Sequence, residues 1–105
     1  MNREQYLALH RQYCDRMVEI TAKKNHDYSK SEDPFANFKV IESFGIATEI
    51  GFVTRMSDKL SRLSNFVTQG ELKVKDESVE DTLLDLANYC LLMAGYLKAK
   101  QEKKG

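Results

Sequence analysis

Ile46-Ala47-Thr48-Glu49-Ile50-Gly51-Phe52-Val53-Thr54-Arg55-Met56-Ser57-Asp58-Lys59-Leu60-Ser61-Arg62-Leu63-Ser64-Asn65-Phe66-Val67 is the stretch that decides the fold. Its apolar residues Ile46, Ile50, Val53, Met56, Leu60, Leu63 and Val67 are spaced 4, 3, 3, 4, 3 and 4 apart. That spacing puts one apolar stripe along an α-helix. The spacing predicts a helix over 46–68, with Gly70 as its stop.

The same period recurs on both sides. Tyr6, Leu9, Tyr13, Met17 and Ile20 predict a helix over 3–24, within a first segment 1–24. Asn2 and Gln5 supply a capping box, and Asn25 a stop. Val79, Leu83, Leu86, Cys90, Ala94 and Leu97 predict a third helix over 78–101, started by Ser78 with Asp81 and followed by a fraying basic tail. A short helical turn is expected near Val40–Phe44, ahead of Gly45. Residues 25–38 break the pattern and are expected to form a functional loop, pinned by Phe35 and Phe38. With one proline, five glycines and no sustained alternation, the expected class is all-α. The expected architecture is a single domain over 1–105, a small bundle of three long helices plus the short turn. Phe52 and Phe66 fall off the main stripe of their helix. Three such helices bury little alone, so a homo-oligomer, dimer or higher, is expected.

Sixteen basic and sixteen acidic residues cancel, so no net field draws the chain to nucleic acid, and nucleic acid is not an expected partner. No apolar run approaches the ~20 residues that span a bilayer, so no membrane partner is expected. The N-terminus lacks the apolar core of a signal peptide, and the expected location is cytoplasmic. Cys14 and Cys90 stand apart in helical patterns and read as buried reduced thiols.

Two charged stripes carry the chemistry. Glu77, Asp81, Asp85 and Asn88 stand at i, i+4, i+8 and i+11, one narrow row in a helix. Carboxylates so placed repel unless a cation sits among them. Mg²⁺, which takes oxygen ligands and keeps waters for a phosphate, is one candidate. The basic stripe Arg55, Lys59 and Arg62, with Asp58, is the other. By angle both rows lie roughly opposite the apolar stripes. The bland alternative is two solvated faces, with the early acids stabilising a helix N-terminus. The helices are joined by about nine residues, Gln69–Glu77, and should be antiparallel neighbours. The basic row is then able to face the acidic one across a cleft or a subunit boundary. Glu49 falls on the apolar side of its helix and needs a partner or a metal. Lys24, Asp27, Tyr28 and Asn37 are candidates to read a base or sugar, against a bland alternative of turn chemistry.

Other signals are thin. His26-Asp27 lacks the further histidines a metal-phosphohydrolase needs, and His10 reads as a surface residue. There is no glycine-rich phosphate loop, zinc spacing or nucleophile elbow.

Lys24-Asn25-His26-Asp27-Tyr28 with Asn37-Phe38, then Arg55-Met56-Ser57-Asp58-Lys59-Leu60-Ser61-Arg62-Leu63, then Asp76-Glu77-Ser78 with Asp81-Thr82 and Asp85-Leu86-Ala87-Asn88-Tyr89 resemble the nucleotide-modification-associated domain family of small phage and bacterial proteins. The resemblance covers about residues 20–97. More distantly the layout is similar to MazG-like all-α nucleotide pyrophosphatases. These hold Mg²⁺ with Glu-x-x-Glu on one helix and Glu-x-x-Asp on the next, and cleave a nucleoside triphosphate to monophosphate and pyrophosphate. Here the first helix of that pair offers Glu49 and Asp58 instead, and the second Glu77-x-x-x-Asp81-x-x-x-Asp85.

The resemblance implies a phage-type nucleotide-binding protein, with Mg²⁺-dependent pyrophosphohydrolase activity linked to nucleotide metabolism or base modification. Glu49, Glu77, Asp81 and Asp85 would hold the metal, and Asp58, Glu77, Asp81 and Asp85 would serve the chemistry. Arg55, Lys59 and Arg62 would bind phosphates. Lys24, Asp27, Tyr28, Asn37 and Asn88 would complete the nucleotide contacts. The alternative is a non-catalytic dimeric module for nucleotide sensing or protein interaction, with the charged stripes as its interface.

Overall fold

The computed structural model describes the backbone of residues 1–28, 32–70 and 77–104, and their side chains except those of 25–28 and 104. These residues form two compact units, Met1–Pro34 and Phe35–Gly105. All regular structure among them is helical, as expected.

The first unit carries helix α1, Arg3–Tyr28. The predicted capping box is present: the Asn2 N–H donates to Gln5 Oε1 (2.9 Å) and the Gln5 N–H to Asn2 Oδ1 (2.8 Å). The helix does not stop at Asn25 but runs a turn further. No glycine or proline occurs before Pro34, and asparagine alone only weakly opposes helix. His10 is exposed and meets the Tyr6 ring edge-on at 5.9 Å.

In the second unit, residues 36–44 are helical where a loop was expected up to 38. A single α-turn, α2 (Ala36–Lys39), runs into a 3₁₀ turn over Val40–Phe44. The Phe35 carbonyl accepts from the N–H groups of both Phe38 and Lys39 (3.0 and 3.1 Å). Phe35 and Phe38 pin this segment as expected. Phe38 stacks on Phe52 (4.3 Å between centroids) and meets Tyr89 edge-on, while Phe35 meets Tyr96 at 5.7 Å. Gly45 ends the 3₁₀ turn with a left-handed φ of 76°, a conformation glycine adopts without the Cβ clash.

Helix α3 spans Thr48–Gln69 and helix α4 spans Val79–Lys104. Gly70 stops α3 at φ 77°, its N–H donating to the Phe66 carbonyl. Ser78 caps α4: its Oγ accepts from the Asp81 N–H (3.0 Å), and Asp81 Oδ2 from the Ser78 N–H (3.4 Å). The last helix persists through Lys104, beyond the expected end at 101, so the basic tail is helical as far as that residue. No described helix is long and apolar enough to cross a membrane.

α3 and α4 are antiparallel neighbours, as their contacts require. Lys59 meets Asp85, Met56 meets Cys90, Phe52 meets Tyr96 and Glu49 meets Lys100. Which faces meet is the main departure from the sequence reading. Phe52 (0%), Thr48, Lys59, Leu84, Thr82, Asn88 and Tyr96 are buried, whereas Ile50, Val53, Leu60, Val67, Leu83 and Leu97 are 43–79% exposed. The charged faces turn inward toward each other, and much of the expected core stripe faces out. Opposite charges on adjacent helices satisfy each other, so Lys59, Glu77 and Asp85 leave solvent while Arg55 and Asp58 stay exposed. Cys90 is likewise exposed and Cys14 half-buried, not buried as expected; both are free thiols.

Candidate functional site

The charged faces of α3 and α4 meet in a chain of five alternating charges. Asp58 pairs with Arg62, Arg62 with Glu77, Glu77 with Lys59, and Lys59 with Asp85. Helical spacing on α3 sets Asp58 and Arg62 one turn apart, with Lys59 beside them. Asp85 comes from the second turn of α4. Glu77 stands ahead of the Ser78 cap, so it reaches the cluster from outside the helix and not along a helical stripe.

The geometry divides each of the three inner groups of the chain, Arg62, Glu77 and Lys59, between two partners. Lys59 Nζ donates to Glu77 Oε1 at 2.9 Å and lies 3.1 Å from Asp85 Oδ2. Glu77 gives its other oxygen to Arg62 Nη1. Arg62 Nη2 lies 3.1 Å from Asp58 Oδ2. The side chains of Lys59, Glu77 and Asp85 are 10–17% exposed, while Arg62 and Asp58 lead outward to solvent. Two cations face three carboxylates, so the cluster carries one formal negative charge.

Burial pulls the Lys59 ammonium toward its neutral form, but the hydrogen bonds to Glu77 and Asp85 outweigh it and raise its pKa above 10.5. Burial pushes the Glu77 carboxyl up, yet Lys59 and Arg62 together hold it below its ordinary 4.5. The Arg62 guanidinium is raised further by its bond to Glu77. All three are charged at neutral pH, which is what anion or cation recognition requires.

The remaining candidates are placed as follows. Arg55 is exposed one turn before Lys59, and Asn88 is buried one turn beyond Asp85. Asp81 sits on the α4 cap. Glu49 found the partner its position demanded: Lys100 Nζ lies 2.9 Å from its carboxylate and 5.5 Å over the Tyr96 ring. The expected metal set Glu49, Glu77, Asp81 and Asp85 is therefore divided among three environments. No group of three or more histidine, cysteine or acidic side chains among the described residues is arranged to hold a metal ion. Asn37 is exposed on α2, and Lys24 lies on α1 of the other unit. The side chains of Asp27 and Tyr28 and all of Asp76 lie outside the described residues.

A second polar cluster escaped the sequence reading. The buried Thr48 hydroxyl donates to Glu42 Oε1, and the Tyr96 hydroxyl lies 3.5 Å from the same oxygen. The Tyr96/Lys100 pair, one turn apart and opposite Glu49, was the available signal.

Lys59 and Arg62 of the basic stripe thus pair with Glu77 and Asp85 of the acidic one within one chain. The profile of a family described as nucleotide modification associated domain 1 matches residues 24–94, which contain every member of the five-charge chain. No curated protein and no solved structure matches the chain.

Proposed function

Because the chain belongs to the nucleotide modification associated domain 1 family, we propose that it is a nucleotide-binding protein whose polyphosphate site is the charge cluster between α3 and α4. The observation that carries this is the Lys59 ammonium shared by Glu77 and Asp85, with Arg62 alongside. Lys59 and Arg62 are donors suited to phosphate oxygens, and the exposed Arg55 one turn away adds a third. Their carboxylate partners hold them charged and oriented until a phosphate arrives.

Mg²⁺ fits the donor chemistry of Glu77 and Asp85, two oxygen ligands that already share one cation. Bound there it would neutralise polyphosphate charge and polarise a phosphoryl group. Lys59 and Arg62 then exchange carboxylate for phosphate oxygens, Asp58 keeps hold of Arg62, and the buried Asn88 amide lies within a turn of Asp85. Pyrophosphohydrolysis of a nucleoside triphosphate is the finer reading, resting on the MazG-like layout, with a carboxylate of this cluster accepting the proton of the attacking water. The mutual satisfaction of all five charges favours a second reading, a sensor that binds without turnover.

The deciding experiment is the melting midpoint against ribo- and deoxynucleotides, each with and without Mg²⁺. A ligand at 100 times its Kd stabilises by about 2.7 kcal/mol. A selective rise that Arg62→Ala removes supports the site, and no rise with any nucleotide sinks it. Where binding is found, release of pyrophosphate separates the hydrolase from the sensor.

A further inference from the structure

The α3/α4 pair has two broad sides, and only one is covered within its own unit. On the covered side, Phe35 and Phe38 lie on Tyr96, Phe52 and Tyr89. Ile41 approaches so closely that a Cβ on Gly51 would come within 3.0 Å of it. The other side borders the Met56–Cys90 contact, where the two sulfurs lie 4.0 Å apart. It presents Ile50 (56% exposed), Val53 (50%), Leu60 (54%) and Val67 (79%) from α3, with Leu83 (49%) and Leu97 (43%) from α4.

Three properties of this side point to what covers it. First, Val53, Leu60 and Val67 recur at seven-residue intervals, as do Leu83, Cys90 and Leu97. That is the period of helices packed side by side. Small residues, Ser57 and Ser64 on α3 and Ala87 and Ala94 on α4, occupy the intervening positions and allow close approach. Second, these positions carry no charge, and Thr54, Ser61 and Thr68 flank them on α3, although 30% of the chain is charged. A patch that meets its own copy about a two-fold axis must not oppose like charges; the named positions have none, and the charges bordering the α4 row, Glu80 and Lys98, are of opposite sign. Third, with Ile46 (41% exposed) the large apolar side chains expose on the order of 700 Å². A monomer's largest apolar patch is about 300–600 Å², and each partner of a standard interface buries about 800 Å².

We infer that the outward apolar face of α3 and α4 is the interface with a second copy of this chain, so that two helical pairs form a four-helix layer stack. The charge cluster lies between α3 and α4 of each copy, so the dimer does not depend on the nucleotide proposal.

Sedimentation equilibrium of the full chain tests it. The expected mass is twice 12.1 kDa, and the melting midpoint should rise with protein concentration. Leu60→Glu and, on the other helix, Leu97→Glu should each weaken self-association roughly 100-fold or more while leaving the far-ultraviolet helix signal. Val40→Glu, at an exposed apolar residue off this face (60% exposed), should leave the dimer intact. A parent chain that stays monomeric and melts independently of concentration overturns the proposal. So does a dimer that neither Leu60→Glu nor Leu97→Glu weakens, or that Val40→Glu weakens equally.

Discussion

Replacing Lys59 with methionine removes one ammonium and keeps most of the stem that packs between the helices. Glu77 and Asp85, within 2.9 and 3.1 Å of that ammonium, would then face each other without it. Breaking a buried pair by deleting one partner costs about 3–5 kcal/mol. Two features reduce that here. Arg62 still holds Glu77, and the carboxylate side chains keep 15–17% exposure through which water can enter. The expected loss is about 2–4 kcal/mol, or roughly 10–25 °C in melting midpoint for a chain of this size. Urea unfolding followed by circular dichroism at neutral pH measures it, at matched protein concentration. The loss should persist in 1 M salt, because a buried pair is screened far less than a surface one. Asp85→Asn in the Lys59→Met background should recover part of it, since one of the two opposed charges is gone. A Lys59→Met protein within about 0.5 kcal/mol of the parent would refute the claim that this cation holds the helices together, since that is the range of ordinary surface substitutions.

Three further outcomes follow from the same geometry. The Glu77 carboxyl is held below its unfolded 4.5, so its contribution is complete above that pH and is lost as pH falls through the lower folded value. Lys59 is raised above 10.5, so its contribution is complete below that pH and is lost on the alkaline side as pH rises through the folded value. A midpoint-against-pH curve should therefore be flat between, and should fall more steeply in acid for the parent than for Glu77→Gln. Ser78→Ala removes the oxygen that caps α4 and should cost about 1 kcal/mol in urea unfolding. Phe52→Ala empties a fully buried position against Phe38 and Tyr96 and should cost about 3–5 kcal/mol.

Helix positions were legible because their signals are local. The apolar period, the Asn2/Gln5 and Ser78/Asp81 boxes and the left-handed Gly45 and Gly70 each act over a few residues, and each stands where expected. Facing was not legible. A stripe such as Ile50, Val53 and Leu60 announces that a face should leave water, but not whether its own chain or another body covers it. Phe52 and Phe66, off that stripe, were the hint that a second face also packs. Whether the charge rows face each other or solvent stays open in the sequence for a related reason. A single helix cannot tell a solvated lysine from one with two carboxylates waiting on its neighbour. The members of the cluster are visible in the sequence, Asp58, Lys59, Arg62, Glu77 and Asp85 alike, but the helical row also runs through Asp81, whose carboxylate accepts from the Ser78 N–H at the helix start. Glu42 and Thr48 were missed because their pairing depends on how the 3₁₀ turn settles against α3.

The rungs joining α3 to α4 also imply an order of assembly. Lys59 and Glu77 are only 18 residues apart in sequence, Met56 and Cys90 are 34, and Glu49 and Lys100 are 51. Closing a loop costs entropy that grows slowly with its length, so the shortest closure comes at least cost and each later rung extends one already made. The hairpin should zip from its ionic end toward its aromatic end. In chevron kinetics Lys59→Met should then chiefly slow the refolding limb, whereas Phe52→Ala should chiefly hasten unfolding. The same ammonium that sits beside the proposed phosphate site would also set the pace at which the chain finds its fold.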